Sequence, residues 1–406
     1  MKKKTVNKPV KKADTLNELR KRDKKTIIVL VIATLIFFGV FFSIYSDDIL
    51  NNSYEYFTQY DGEEVIEFEK GRVTEIVNEE KEIDEVAENA FLGNQELSVI
   101  VGSGRYKGET MLVHNYFGPY NGVPVEVGDM VTITIKTHSD GNHSATVYEI
   151  NRIPVLAVFI LLFFAIIIVV GGYAGLKSLI GLIITIICLF AILIPLLLKG
   201  APPILTTFII CAYISMVCFT ILGGVQRKSI SAFLGTVAGT FFAMVFGIAV
   251  QYFSKIDGLR LDEAEALLQL KYAEVANISI RGLLSACIII CALGAVMDVA
   301  MSISSSLEEV HAANPKMQKK DLFKSGMNIG RDMVGTMTNT LILAFLGSEF
   351  TLVIFLYARD LSFYHLFSTA FVTLETISGI SSSIGMVLAI PLTAFISSSL
   401  IAREKQ

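Results

Sequence analysis

The chain has 406 residues, of which 53% are hydrophobic and 18% are charged, and its formal net charge is −4. So large a hydrophobic fraction excludes an ordinary soluble domain, and apolar stretches of about 20 residues recur, each long enough to cross a bilayer. All five cysteines lie in apolar stretches. The acidic segment near the N-terminus therefore has no disulfide and must be held together by packing.

Charge is segregated along the first third of the chain. Residues 1–26 contain eleven lysines or arginines and three acids, whereas residues 46–152 contain 21 of the 38 acids and seven bases. The apolar run at 26–45 predicts an uncleaved first transmembrane helix that follows a basic cytoplasmic tail, 1–25. The tail is expected to lie against anionic lipid. Because it is tethered directly to a span, no nucleic-acid partner is expected.

Residues 46–152 are predicted to form an acidic extracytoplasmic β domain. Within 65–150, alternating segments are separated by glycine-containing turns, a pattern typical of short strands. Several such strands favour a small barrel of the OB or SH3-like kind. The acids at 79–88 are expected to lie in an exposed loop. His138 and His143 flank a turn and are interpreted as surface residues of a hairpin rather than as metal ligands.

Residues 153–402 are predicted to form a membrane domain, so the fold class is an α-helical polytopic membrane protein with about eight transmembrane helices and a small extracytoplasmic β-barrel-like domain. Lysine and arginine fall in alternate loops, which predicts a cytoplasmic C-terminus. The loop at 253–280 is expected to carry an amphipathic helix. The segment 350–380 is expected to be re-entrant or interfacial. Seven spans follow the β domain, at about 154–171, 178–198, 204–222, 230–252, 282–303, 326–347 and 383–401.

The sixth and seventh of these spans carry polar and charged side chains, which a bilayer does not accept without compensation. Helical spacing gathers them on one face of each span. The candidate transport path or buried polar network consists of Asp298, Ser302, Asn328, Arg331, Asp332, Thr336 and Asn339.

Asp298 and Arg331 lie at about the same predicted depth, so an ion pair between neighbouring helices is expected. Two interpretations stay open: the pair only fixes helix packing, or the cluster lines a path for a small solute or ion. The second is favoured, since one arginine cannot neutralise both Asp298 and Asp332.

Several motifs of known enzymes are absent. The sequence contains no HExxH, no G-x-x-x-x-G-K-[ST] and no GxSxG. Hydrolytic or ATP-driven chemistry therefore has no visible site, and we expect no enzymatic activity, no catalytic residue, no cofactor and no bound metal. Cys287 and Cys291 share a helix face and are interpreted as small packing residues rather than as a metal or thiol pair.

Several segments resemble one protein family. The stretches SISSSLEEVHAANP and SGMNIGRDMVGTMTNTLILAFLG are similar to the YibE/F family of bacterial membrane proteins, as are CALGAVMDVAMSI, GSGRYKGETMLVHNY and AIPLTAF. The likeness extends over residues 70–400 and is most specific at 297–340. It implies a polytopic protein of the bacterial cytoplasmic membrane and supplies no catalytic residues.

Functional hypotheses of different classes follow. The favoured one is a secondary transporter or permease, with proton coupling as one version, in which Asp298, Arg331 and Asp332 line the path. The alternative is a non-transporting envelope protein whose outer domain binds a protein partner or senses a ligand. A lipid-modifying membrane enzyme is least favoured, because no nucleophile-and-base set is visible. Seven spans are many for an anchor, whereas the absence of an internal repeat favours the envelope protein.

Overall fold

The computed structural model describes residues 65–137, 143–256, 258–259, 262–272, 276–359 and 362–402. The predicted basic tail and first span, as well as His138, lie outside these residues. The described contacts group into two compact units, one made of residues up to Ile166 and the other of residues from Ile167 onward.

Five strands form a closed barrel. They are β1 (Val65–Asp84), β2 (Ala90–Val101), β3 (Thr110–Phe117), β4 (Met130–Thr137) and β5 (His143–Ile150). Their order around the barrel is β1-β2-β3-β5-β4, with β3 and β5 parallel and the other neighbours antiparallel. This is the strand order of an OB-fold. Of the two barrel types predicted, the domain therefore has the OB type.

An aliphatic core fills the barrel. Alternate residues of each strand point inward, as the period of two requires. The side chains in this core that are at most 1% exposed are Val73, Leu97, Val99, Val101, Val113, Val125, Val131, Ile133 and Ile135. Burial of each stabilises the fold by about 1.5–3 kcal/mol. This packing is the stabilisation expected for a domain without cysteine.

Most of the acids at 79–88 lie in a strand rather than in the predicted loop, and only Glu85 and Glu88 lie in a turn. β1 continues to Asp84 and stays paired with β2 up to the register Asp84↔Ala90, so only residues 85–89 form the turn. Residues 77–83 are exposed on both faces of this hairpin. A strand that buries neither face has no alternation of apolar residues, and periodicity could not detect it.

From Ile153 onward the described chain is helical. Its helices are α1 (Ile153–Ile187), α2 (Ile194–Leu198), α3 (Pro203–Gly223), α4 (Arg227–Ser254), α5 (Asp262–Tyr272), α6 (Leu283–Ala313), α7 (Lys319–Ser348), α8 (Phe350–Ala358), α9 (Phe363–Ser368) and α10 (Ala370–Ala402). A π-helical segment, Cys188–Leu193, joins α1 to α2, and a 3₁₀ turn, Ile280–Gly282, precedes α6. α5 is the helix predicted in the loop at 253–280.

In the described part of the chain, five helical runs are long and apolar enough to cross a membrane. The count rises to six if α7 and α8, which meet at a bend of 63°, form one broken span. The runs are Ile153–Leu198, α3, α4, the 3₁₀ turn with α6, and Val372–Ala402. These helices are those of a polytopic membrane protein, as predicted, although length and composition alone do not separate eight spans.

The last helix is longer than predicted. α10 begins at Ala370 rather than near residue 383, so it includes the end of the segment 350–380 that was expected to be re-entrant. Ser378, Ser381, Ser382 and Ser383 are buried within it. A serine inside a helix can donate its hydroxyl to the carbonyl one turn earlier, as Ser383 does to Gly379 at 2.8 Å. A serine-rich segment that resembles a loop is therefore compatible with a packed helix.

α10 is the centre of the helical unit and packs against α4, α6 and α7. Small residues bring these helices close together. A Cβ added at Gly239 of α4 would lie 2.7 Å from both Ala389 of α10 and Val296 of α6. On the α7 side, Gly326 and Gly330 lie against α10. Gly235 of the same helix lies against Thr393 of α10, so both glycines serve close helix packing.

Candidate functional site

The two predicted polar faces lie on α6 and α7. On α6, Val296, Val299 and Ile303 are fully buried against the other helices. Asp298 is exposed instead, because it lies 100° around the helix from Val299 and 200° from Val296. Ser302, one turn further along, is half-buried.

On α7, the buried positions are Leu322, Gly326 and Gly330, which are four residues apart and form one stripe toward α10. Between residues 328 and 339, the exposed positions away from this stripe are polar except for Gly335. Together they form the α7 polar face, which consists of Asn328, Arg331, Asp332, Gly335, Thr336 and Asn339. Asp332 lies about 200° from Gly330 and is thus nearly opposite the buried stripe.

The contacts with α10 give the relative depth of the two faces. Val296 of α6 lies level with Ala389, and Gly330 of α7 lies against Ile390. Asp298 and Arg331 are within two residues of these contacts, or about 3 Å along a helix. The two charges therefore lie at nearly the same level of the helical unit, as the sequence suggested.

The predicted ion pair between Asp298 and Arg331 is nevertheless not formed among the residues described. α6 and α7 meet near their connecting loop, where a Cβ on Gly326 would be 3.0 Å from Leu307. Both helices turn their small and apolar stripes toward α10, so Asp298 and Arg331 both point outward. The prediction of a buried pair was wrong because depth alone does not fix helix rotation.

The hydroxyl groups of Thr336 on α7 and Ser304 on α6 make hydrogen bonds within a helix or between helices. Thr336 donates a hydrogen bond to the carbonyl of Met333 at 3.1 Å, and its own carbonyl accepts one from Thr340 at 2.9 Å. Its hydroxyl proton is therefore used within α7. The neighbouring Ser304 of α6, rather than Ser302, enters a buried chain of hydroxyls with Ser231 at 3.3 Å and Ser397 at 3.0 Å.

A cavity opens at the loop end of α7. It is an open cleft of about 470 Å³, lined mostly by exposed residues, and it reaches Asn328, the first residue of the α7 polar face. The lining residues are Asn314, Lys316, Met317, Gln318, Asp321, Lys324, Ser325 and Asn328. The α7 polar face is thus continuous with a polar opening at one end of the helical unit.

Two family models match the chain. The model described as YibE/F-like protein matches residues 159–403, and the YibE/F family N-terminal domain matches residues 65–150. The chain belongs to the YibE/F family. The N-terminal match coincides with the barrel, and the other contains Asp298 and the whole α7 polar face. No curated protein and no solved structure matches the chain.

One further acid of this YibE/F chain lies near the α6 face. Glu375 of α10 is half-buried and within electrostatic range of Cys287 and Cys291. In the sequence it lies in the segment 350–380, where an acid can be in contact with water and indicates no site. It becomes a candidate site residue only because α10 begins early enough to include it. Within the described residues, no three histidine, cysteine, aspartate or glutamate side chains are grouped closely enough to hold a metal ion.

Proposed function

We propose that this YibE/F chain is a secondary transporter or permease of the bacterial cytoplasmic membrane. In this proposal the α7 polar face and Asp298 line the path of a small solute or ion. The observation that carries it is the exposed polar face itself, which opens into the cavity of about 470 Å³ at Asn328. With this function the protein needs no cofactor and performs no covalent chemistry.

The cost of exposing charge to lipid supports a water-filled or protein-covered face. Arg331 and Asp332 are both exposed on the described chain. Each would cost about 2.5–3.5 kcal/mol at the centre of a bilayer, and so about 5–7 kcal/mol together. That sum is comparable to the whole stability of many proteins. Lipid is therefore not the partner of this face.

The proposed topology has eight spans with both termini in the cytoplasm. The run Ile153–Leu198 has 46 residues, or about 69 Å as one helix, which is about twice the thickness of the hydrocarbon core. Its backbone leaves the helical conformation at Gly172, where φ is 55°. A Cβ on Gly175 would overlap the carbonyl oxygen of Ile167, eight residues earlier. In an unbroken helix these residues would be about 12 Å apart.

The chain thus folds back at Gly172, and we count two spans there. With the bent pair α7–α8 as one span, seven follow the barrel. The apolar run 26–45, which lies outside the described residues, is the eighth. An even number of spans leaves the two termini on the same side and the barrel on the other.

Asp332 is assigned the coupling role in this proposal. Its side chain is opposite the buried stripe of α7 and is surrounded on its own helix by Asn328, Thr336 and Asn339. A carboxylate that gains and loses a proton in such a path can couple solute movement to proton movement. The expected consequence is that the charge of Asp332 is needed for function and not for folding.

The functional test compares Asp332→Asn with Glu309→Gln, a matched change from carboxylate to amide at an exposed position outside the path. A deletion strain is first screened for sensitivity to salts, metals, organic acids and amines. Each variant is then returned to the strain, and its abundance in the membrane is measured. We expect Asp332→Asn to be abundant and inactive, and Glu309→Gln to complement. Full complementation by Asp332→Asn would refute the coupling role.

A second test needs no substrate. Single cysteines are placed at Asp332, Asn339 and Ile209 in a chain whose native cysteines are replaced, and a charged methanethiosulfonate is added. Ile209 is an apolar α3 control with 57% exposure. A water-filled path predicts labelling at Asp332 and Asn339 but not at Ile209. If both polar positions resisted labelling and formed crosslinks between copies of the chain, the face would be an oligomer interface and not a path.

The envelope-protein alternative is favoured by one observation on the barrel. Phe68, Tyr116 and Tyr148 point outward and are 45%, 64% and 61% exposed, although large aromatic side chains are costly to leave in water. Such residues suit a surface that binds a partner or a ligand. If Asp332→Asn complemented the deletion strain and Tyr148→Ala did not, this alternative would be favoured over transport.

A further inference from the structure

The barrel carries a pocket that the transport proposal does not use. It lies between β3, β5 and the loop that follows β3, and its volume is about 210 Å³. Three exposed tyrosines line it, Tyr116, Tyr120 and Tyr148, together with the polar side chains of Asn121 and Glu149. A pocket of this size admits one small ring rather than a drug-sized ligand, and it offers polar groups beside the three rings.

Two of the three rings are held in place by a second ring. Tyr148 meets Phe68 edge to face, with centroids 5.1 Å apart and an interplanar angle of 83°. Tyr116 stacks beside His114 at 6.3 Å and 21°. Such pairs favour one ring orientation. The tyrosines thus present fixed flat faces, so less side-chain entropy is lost when a ligand is bound.

A buried amide network fixes the loop that closes the pocket. Gln95 and Asn115 are each 1% exposed inside the barrel. Asn115 donates to the side-chain carbonyl of Gln95 at 2.9 Å and to the carbonyl of Val123 at 3.0 Å. The same Gln95 oxygen accepts from the backbone of Val125 at 3.0 Å, and the Gln95 amide donates to the Val125 carbonyl at 3.1 Å.

Glycine is required at the bend of this loop. Gly122 has φ +62°, and a Cβ there would lie 2.5 Å from the carbonyl oxygen of Tyr116. The loop therefore returns close to the end of β3, with Asn121 at the pocket. Together with the amide network, this bend makes the pocket a built part of the barrel rather than a chance gap between side chains.

Charge restricts the ligand. Residues 65–150 contain 15 acids and six bases, a net charge of −9. Nucleic acids and other polyanions are repelled by such a domain. Glu149 is paired with Arg152 at 2.7 Å, so its charge at the pocket is partly compensated. A neutral ligand with a flat apolar face and a polar rim fits both the tyrosines and the amide.

We propose that this pocket binds one ring of a neutral oligosaccharide. The C–H face of the sugar stacks on Tyr116 and Tyr148, and Asn121 bonds its hydroxyl or amide groups. The pocket holds a single ring, and adjoining rings extend over the exposed barrel surface. This inference does not depend on transport, although the proposed topology places the barrel on the outer side, where glycans occur.

The experiment uses the full chain in lipid nanodiscs. Saturation-transfer NMR and titration calorimetry are run with three neutral probes: an N-acetylglucosamine tetramer, a maltotetraose and a cellotetraose. We expect at least one to bind, with saturation transferred to its ring C–H protons. Tyr148→Ala should weaken that binding about tenfold, through loss of one aromatic contact. Tyr148→Phe should retain it, because the ring face remains.

The matched control is Tyr272→Ala on α5, which removes a tyrosine that is 81% exposed and far in sequence from the pocket. It should leave binding unchanged. A second pocket variant, Val123→Trp, fills the pocket without removing a tyrosine and should also abolish binding, which covers the case that Tyr148→Ala misfolds. The proposal would be overturned if none of the three probes bound at about 10 mM. It would also be overturned if all variants bound equally well.

Discussion

Close packing between α4 and α10 makes Gly385→Ala a sharp test of the fold. A Cβ at Gly385 would lie 2.5 Å from the Cβ of Ala243 and 2.9 Å from the carbonyl oxygen of Gly239. Carbon atoms pack best at about 3.5–4.0 Å, so the two helices must separate by about 1 Å. Neither neighbour can rotate away, because one is a methyl carbon on the backbone and the other is a backbone oxygen.

The expected cost of this overlap is about 1–3 kcal/mol. Replacing glycine in a helix also gives a gain of up to about 1 kcal/mol, which would obscure the result in a single variant. Gly335→Ala provides the control, because nothing lies within 4 Å of the Cβ it adds. The free energy of unfolding of Gly385→Ala should therefore be about 1–3 kcal/mol below that of Gly335→Ala.

The assay is thermal unfolding in detergent, followed by a thiol-reactive fluorophore, in a chain whose exposed Cys287 and half-buried Cys291 are replaced by serine. Cys188, Cys211 and Cys218 are buried and become reactive only when the helical unit opens. The midpoint should fall by about 2–4 °C for each kcal/mol lost. Ala243→Gly added to Gly385→Ala should restore part of the loss. Equal midpoints for Gly385→Ala and Gly335→Ala would refute the assigned contact between α4 and α10.

Three further outcomes are expected. A phosphatase reporter that is active only outside the cytoplasm should be inactive when fused at Gln406, and strong activity would contradict the eight-span topology. The effects of Asp298→Asn and Arg331→Gln on the free energy of unfolding should add within about 0.5 kcal/mol, because the side chains do not touch. A double variant more stable than this sum would be evidence for the ion pair. Gln95→Leu should destabilise the barrel by about 1–3 kcal/mol, because one N–H of Asn115 and the backbone N–H of Val125 lose their buried acceptor, and unchanged thermal unfolding would contradict the network.

The β domain was largely predictable, and its exceptions have physical causes. Inward-facing residues such as Val131, Ile133 and Ile135 alternate with threonines, which is sufficient to predict strands around a core. The choice between OB and SH3-like order was not predictable, because it depends on which strands pair at a distance. The two-sided exposure of residues 77–83 removed the alternation that would have identified the hairpin.

The candidate site was predictable as a set of residues but not as an arrangement. Helical spacing groups Asp332 with Asn339 on one face of α7, and both residues are exposed there. It could not show that Glu375 belongs to a helix near Cys287 and Cys291, because α10 begins at Ala370, well before the apolar run from which the span was predicted. The pocket on the barrel had no signal in the sequence, since its walls come from separate strands and a loop.

The sequence by itself determined the class of this protein: the lengths of its apolar runs, the segregation of charge and the strand alternation fix a membrane chain with a small β domain. Only the tertiary structure decided the rotation of each helix. Gly326 and Gly330 turn one stripe of α7 toward α10, and Val296 does the same for α6, so Asp298 and Arg331 share a depth without meeting. Periodicity specifies which side chains lie on one face, whereas the neighbour that the face meets depends on packing between residues far apart in the chain.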